Sequence, residues 1–193
     1  FGSLLQGHPS YLDLPALEHA SGPLGQGLSV AIGMAMAAKM NRERHWIYCL
    51  VSDGEQQEGQ IWEAAMFAGK YRLNNVIAFM DRSNIQIDGM TEDVMPLEPL
   101  RKKWEAFGWH VIEVDGHNIE QIIDATNTGK AIIEKPTMVI MHTIPGKGVK
   151  FMEYDYTWHG KPPKGDEAKQ ALNDIRTLKG KIRTWFLQKQ TSL

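Results

Sequence analysis

The sequence predicts an α/β fold: a parallel sheet flanked by helices on both faces. Four short apolar runs, 46–51, 76–80, 109–114 and 136–141, have the length and composition of strands. Stretches of helical character at 61–71, 99–107 and 119–134 fall between them, and strand–helix alternation implies βαβ units. The runs 46–51 and 76–80 are apolar without alternation, as expected for strands covered on both faces. These two are expected to be adjacent and central in the sheet.

The remaining elements follow in chain order. Residues 27–40 are dense in small and apolar side chains, with Ser29, Ala31, Ala35 and Ala38 allowing a helix to pack closely. The 46–51 strand ends in the turn Ser52-Asp53-Gly54. Helix 61–71 presents an apolar face with Trp62, Ala65, Met66, Phe67, Ala68 and Gly69. The 76–80 strand leads into a polar loop at 81–89. After His142 the chain becomes loop-like, through Pro145-Gly146-Lys147-Gly148 and Lys161-Pro162-Pro163. A polar helix over 166–188 follows, with Leu172, Ile175 and Leu178 on one side. The expected organisation is one domain over 1–193, its 143–193 portion a loop-and-helix extension. The opening Phe1-Gly2-Ser3, without methionine and without an approach to the first element, reads as a trimmed N-terminus.

Composition narrows the function classes. A chain of 193 residues with 42% hydrophobic content can bury one substantial core. Its formal charge of −2 gives no expectation of nucleic acid or an anionic membrane as partner. The longest apolar stretch, 28–38, is too short to span a bilayer. Cys49 is the single cysteine, so no intramolecular disulfide exists and a reducing, cytoplasmic setting is expected.

In a doubly wound sheet ligands bind beyond the carboxyl ends of the strands. Two polar loops there carry acids and amides: 52–59 and 81–89. Asp53 at a strand end, with Gly54 beside it, suits a hard cation that carries phosphates. Mg²⁺ or Ca²⁺ needs oxygen donors, here one carboxylate, a hydroxyl or amide oxygen, a backbone carbonyl and the ligand's own phosphate oxygens. Gly54 lets the backbone approach a phosphate, whose charge free N–H groups favour.

The pattern Ser52-Asp53-Gly54, then about thirty residues, then Ser83-Asn84 after an apolar strand, resembles the thiamine-diphosphate signature of transketolases. Further matching segments follow the family's order: Gly7-His8-Pro9, Ser21-Gly22-Pro23-Leu24-Gly25-Gln26-Gly27, Glu58-Gly59, Ile85-Gln86-Ile87-Asp88-Gly89, Trp104-Glu105-Ala106-Phe107-Gly108-Trp109 and Trp158-His159-Gly160. The resemblance spans nearly the whole chain and is closest to split transketolases, in which this domain is a separate polypeptide. It implies the thiamine-diphosphate-binding fold and the transfer of a two-carbon ketol unit from a ketose phosphate to an aldose phosphate.

Carried over by position, the resemblance implies that Asp53 ligates the metal and that Ile85 offers it a backbone carbonyl. Ser52, Gly54 and Glu55 would lie along the diphosphate. Gly22 and Leu24 would face the aminopyrimidine, with Ile87 as an apolar wall. His8 and His159 would line the substrate channel, where a neutral imidazole can bind a sugar hydroxyl or shuttle its proton. Glu58 and Glu63 match acids that the family places in a network between subunits. Two positions depart from the family. Ser52 replaces the first glycine, which a small residue tolerates at negative φ. Ser83 occupies the place of the metal-binding asparagine, with Asn84 one position late. The unbroken register of 85–89 favours Ser83, and Asn84 remains the alternative.

The glutamate that would contact the aminopyrimidine belongs to a domain that nothing here matches. The expected partners are therefore a pyrimidine-binding chain and a second copy of this one, in a homodimer within a heterotetramer. Helix 61–71, with Trp62, Met66 and Phe67 beside Glu58 and Glu63, is the expected contact surface. Two other readings stay open: a deoxyxylulose-phosphate synthase or ketoacid dehydrogenase subunit, and a cofactor-free assembly or regulatory subunit. His19, His45, His110, His117 and His142 have no motif support and are expected to be surface or structural residues.

Overall fold

The computed structural model describes residues 3–4, 6–19 and 22–177. Ser21 and residues 178–188 of the expected last helix, Leu178 among them, lie outside the described residues. Helix α1, Gln26–Met40, leads to β1, Ile47–Ser52, and a 3-10 turn over Gly54–Gln57. Helix α2, Gly59–Lys70, is followed by β2, Val76–Arg82. The loop beyond β2 holds a small hairpin, β3 at Ile85–Gln86 and β4 at Gly89–Met90, then the one-turn α3, Thr91–Val94. The chain continues through α4, Leu100–Ala106; β5, His110–Asp115; α5, Ile119–Ala131; and β6, Thr137–His142. A second 3-10 turn, Tyr156–Trp158, precedes α6, Gly165–Thr177.

The sheet is parallel throughout, in the order β1-β2-β6-β5. Parallel pairing aligns all carboxyl ends, so Ser52, Arg82, His142 and Asp115 emerge along one edge. The expected α/β architecture with helices on both faces is what the chain forms. One face packs against α1, α2 and α4 around Leu28, Ile61, Leu73, Met80, Trp104 and Trp109. The other packs against α5 through Ile77, Val114, Ala125 and Val139.

The expectation that both the 46–51 and 76–80 strands are central is corrected. They are adjacent and parallel, but β1 is the edge strand of this sheet and only β2 is interior. Cys49 and Val51 point into the core, whereas Leu50 is 72% exposed on the opposite face. Helix α5 packs on β5, β6 and part of β2; among the described residues it reaches that side of β1 with Lys130, 5.7 Å over the Tyr48 ring, and Leu50 stays exposed. Burial pushes the Cys49 thiol up to about 12, helped by the nearby Glu55 charge, so it stays protonated and unreactive.

Helix α2 is also divided differently from the expectation. Trp62 turns inward: its ring lies 5.4 Å from Trp104 and 5.8 Å from Phe107, and its Nε1 donates to the Gln56 carbonyl at 2.8 Å. Met66, Phe67 and Tyr71 remain exposed on the outer side. Gly69 allows α2 to lie directly on the turn after α4, where an added Cβ would sit 1.8 Å from the Phe107 carbonyl oxygen. Trp109 fastens the same contact by donating from Nε1 to the Ala65 carbonyl at 2.9 Å. Leu172 and Ile175 of α6 are exposed.

Candidate diphosphate and metal site

Three segments converge beyond the carboxyl ends of β1 and β2. The turn 52–58 continues from β1, the segment 81–90 continues from β2, and the loop 22–25 leads into α1. Each has a local reason for its shape. Gly25 sits at φ +80°, the left-handed region open to glycine, and starts α1. Asp53 folds back over its own turn and accepts from the Gly54 N–H at 2.8 Å. Asn84 takes φ +67°, which asparagine tolerates better than most residues, and opens the β3–β4 hairpin.

Asp53 is the centre of the site and is 1% exposed. Its Oδ1 lies 3.4 Å from the Ser83 hydroxyl, and its Oδ2 accepts from the Asn84 backbone N–H at 2.5 Å. The structure thus brings Ser83 to Asp53 with its side chain and Asn84 with its backbone. Ile85 follows, buried at the start of β3. Burial pushes the Asp53 carboxyl above its ordinary value, against the pull of the Asn84 N–H and of the Arg82 guanidinium.

Arg82, which no motif marks in the sequence, has four side-chain partners in the site, as many partners as Asp53. It is 2% exposed. Its Nη1 donates to Asp53 Oδ2 at 3.3 Å and to Thr91 Oγ1 at 2.7 Å. Its Nη2 donates to Glu92 at 2.9 Å and to Glu98 at 3.1 Å. The clue in the sequence was a cation directly after a buried strand, in a loop otherwise acidic and amidic.

The other expected residues divide into two groups. Ser52 ends β1 and is not among the described residues with positive φ, which meets the condition for replacing a glycine. Gly54 is pressed to the hairpin, where an added Cβ would lie 3.2 Å from Gln86 Cβ. Glu55 does not face outward: its carboxylate accepts from the Gly25 and Ser52 N–H groups. Gly22 lies beside His8, whose Cδ2 would be 3.6 Å from a Cβ placed there. Glu58 packs on Gly25, and both Glu58 and Glu63 are exposed. The exposed His159 follows a turn that lies against β4. Leu24 and Ile87 are 57% and 70% exposed, large apolar side chains outside the core.

The donor chemistry fits a hard cation carrying phosphates. Among the described residues no cluster of three His, Cys, Asp or Glu could hold a metal alone. A single carboxylate with a hydroxyl and a backbone carbonyl leaves the remaining coordination to the ligand's oxygens and water. Buried charge at the strand ends and a glycine turn beside it suit an α/β domain that receives a diphosphate.

The chain belongs to the transketolase thiamine diphosphate-binding domain family, whose model matches residues 1–177. It is 45% identical over 175 residues to an apulose-4-phosphate transketolase subunit from Phocaeicola vulgatus, covering 91% of this chain and 62% of that one. It is 48% identical over 152 residues to a 6-deoxy-6-sulfo-D-fructose transketolase subunit of a Clostridium species, covering 79% and 55%. The chain thus spans a little over half the length of these relatives. Among solved structures, the transketolase of Campylobacter jejuni superposes with a TM-score of 0.79 at 36% identity, over 88% of this chain and 28% of that one. No helix among the described residues is long and apolar enough to cross a membrane.

Proposed function

We propose that this chain is the diphosphate-binding half of a two-chain transketolase, working with thiamine diphosphate and a divalent cation, Mg²⁺ or Ca²⁺. The observation that carries the reading is the convergence of loops 22–25, 52–58 and 81–90 around the buried Asp53 carboxylate. In this role Asp53, the Ser83 hydroxyl and the Ile85 carbonyl hold the cation. Gly54 admits the diphosphate to the backbone. Gly22, Leu24 and Ile87 bracket the rings, and the exposure of the last two is what surfaces awaiting a ligand and a second chain display. Thiamine diphosphate, when bound, supplies the carbon nucleophile and electron sink for cleaving and remaking the ketol carbon–carbon bond. His8 and His159 orient the hydroxyls of the sugar phosphates and hold or pass their protons. The partner in this reading is a pyrimidine-binding chain; that the two relatives are named as transketolase subunits supports a second chain. A second copy of this chain docks on the outer side of α2, through Met66, Phe67, Glu58 and Glu63, giving a heterotetramer of cytoplasmic type.

The test is reconstitution with the partner chain, thiamine diphosphate and Mg²⁺, followed by an assay of ketol transfer from ketose to aldose phosphates. Transfer by the pair and none by this chain alone is expected. Transfer by this chain alone overturns the half-site reading. A second reading, a cofactor-free assembly role, is favoured by one observation: Arg82 already neutralises Asp53. Failure of the reconstituted pair to bind thiamine diphosphate selects it.

A further inference from the structure

Glu55 is a buried carboxylate, 9% exposed, standing between two of the converging loops. Its Oε1 accepts from the Gly25 N–H at 3.0 Å, and its Oε2 accepts from the Ser52 N–H at 2.8 Å. Its own N–H donates to the Ser52 hydroxyl at 3.3 Å. The ion pairs of the described residues do not include it. Its oxygens are met by backbone N–H groups, one of them at the start of α1, and by the Ser52 hydroxyl 3.4 Å from Oε2. That helix has no side-chain cap of its own, so Glu55 supplies from another element the anion that a helix N-terminus favours.

Among the described residues, other contacts between these two segments run through apolar stems, amides and, further along α1, the Ser29 hydroxyl, which accepts from Gln60 Nε2 at 3.1 Å. Gly25 faces Glu58 Cβ, and Gln26 Nε2 donates to Gln60 Oε1 at 2.7 Å on the exposed side. The buried tie between them is the Glu55 carboxylate. A carboxylate lying along a diphosphate would repel it, and here both oxygens are turned into the protein instead.

We propose that Glu55 is a positioning residue that fixes the ring-facing loop 22–25 against the diphosphate turn 52–54, so that the two ends of one cofactor meet subsites at a set separation. This rests on the reading under Proposed function. A two-ended ligand gains from both subsites only when their spacing matches it, whereas a half-ligand is indifferent to that spacing. Binding of thiamine diphosphate and of magnesium pyrophosphate is therefore measured by calorimetry on the reconstituted complex, for the natural chain, Glu55→Gln and Glu55→Ala. Glu55→Ala is expected to weaken thiamine diphosphate by about ten- to a hundredfold, the worth of charge-assisted hydrogen bonds. Magnesium pyrophosphate should stay within about twofold. Glu55→Gln, which keeps one acceptor oxygen, should fall between. Equal weakening of both ligands, or of neither, overturns the proposal. Amide exchange of the 22–28 segment separates it from the functional reading: if the natural complex binds neither ligand, that reading fails. Faster exchange at Gly25 in Glu55→Ala would still support the tie, and unchanged exchange would overturn it.

Discussion

Replacing Arg82 with methionine tests whether the buried guanidinium holds the site together. Arg82 and Asp53 side chains are 3% and 1% exposed, so the substitution leaves a carboxylate in the interior without its cation. Breaking a buried pair from one side costs about 3–5 kcal/mol. The lost bond to Thr91 Oγ1 adds about 1 kcal/mol. Glu92 and Glu98 are 40% and 58% exposed and regain water, so their pairs add little. Methionine recovers part of the arginine's stem packing, which leaves a net loss of roughly 4 kcal/mol. A divalent cation delivered with the cofactor would supply positive charge at the same carboxylate. Urea denaturation of the complex, with and without Mg²⁺ and thiamine diphosphate, should therefore show a larger ligand-induced stabilisation in Arg82→Met than in the natural chain. A stability loss below about 1 kcal/mol, or equal ligand effects in both proteins, would refute the reasoning.

Ser83→Asn restores an amide oxygen beside Asp53 and should tighten Mg²⁺-dependent thiamine diphosphate binding on the order of tenfold in calorimetry; weaker binding, with Asn84→Ala abolishing it, would make Asn84 the ligand. Gly69→Ala drives a Cβ to 1.8 Å from the Phe107 carbonyl oxygen, with backbone on both sides and no rotamer to yield. It should cost about 3 kcal/mol or more in chemical denaturation, and a loss under about 1 kcal/mol would mean that the helices part easily. Burial, then the Lys147 charge, holds the His117 imidazole below its ordinary value, against Asp115, Asp81 and Glu153, while its Nε2 accepts from the Ile144 N–H at 2.8 Å. The fold favours the neutral ring, so this stability is complete above the unfolded value near 6.5 and is lost as pH falls from there through the lower folded value. His117→Gln should flatten that part of the pH dependence of the urea midpoint, and an unchanged slope would disprove the role.

The strand–helix alternation was legible because apolar runs and helical periodicity are local properties. The edge position of β1 was not: Tyr48 and Leu50 look the same in sequence whether their face is covered or bare, and sheet order depends on crossovers. Trp62 and Met66 share helical spacing, but only contact with Trp104 and Phe107 turns the former inward. That Asp53, Gly54 and Ser83 come together could be read from their motif. Arg82 and Glu55 could not be assigned, because their partners lie at Glu92, Glu98 and Gly25, and a charged residue's inward turn is decided by such distant acceptors and donors.

The charge balance of the three loops makes one last prediction about the metal. Residues 22–27, 52–60 and 81–90 contain Asp53, Glu55, Glu58, Asp81 and Asp88 against a single cation, Arg82. That guanidinium is already engaged by Asp53, Glu92 and Glu98, so these loops offer a diphosphate no side-chain cation. Backbone N–H groups give a phosphate charge-assisted bonds of about 1.5–3 kcal/mol each. At this turn the Gly54 and Glu55 N–H groups already donate to Asp53 Oδ1 and the Ser52 hydroxyl and must exchange partners to make them. Two unit charges of like sign 4 Å apart oppose them by about 4 kcal/mol at an effective dielectric of 20. Arg82 offsets the Asp53 charge, but the acids of these loops outnumber that one cation, so repulsion cancels what one or two N–H bonds contribute unless a divalent ion stands between the carboxylates and the phosphates. Thiamine diphosphate should fail to bind the reconstituted complex in EDTA, and binding should return on adding Mg²⁺ or Ca²⁺. Thiamine itself, which lacks the phosphates, should bind equally weakly with and without metal. Tight thiamine diphosphate binding in EDTA would mean that a cation from outside these loops, supplied by another segment or by the partner chain, replaces the metal.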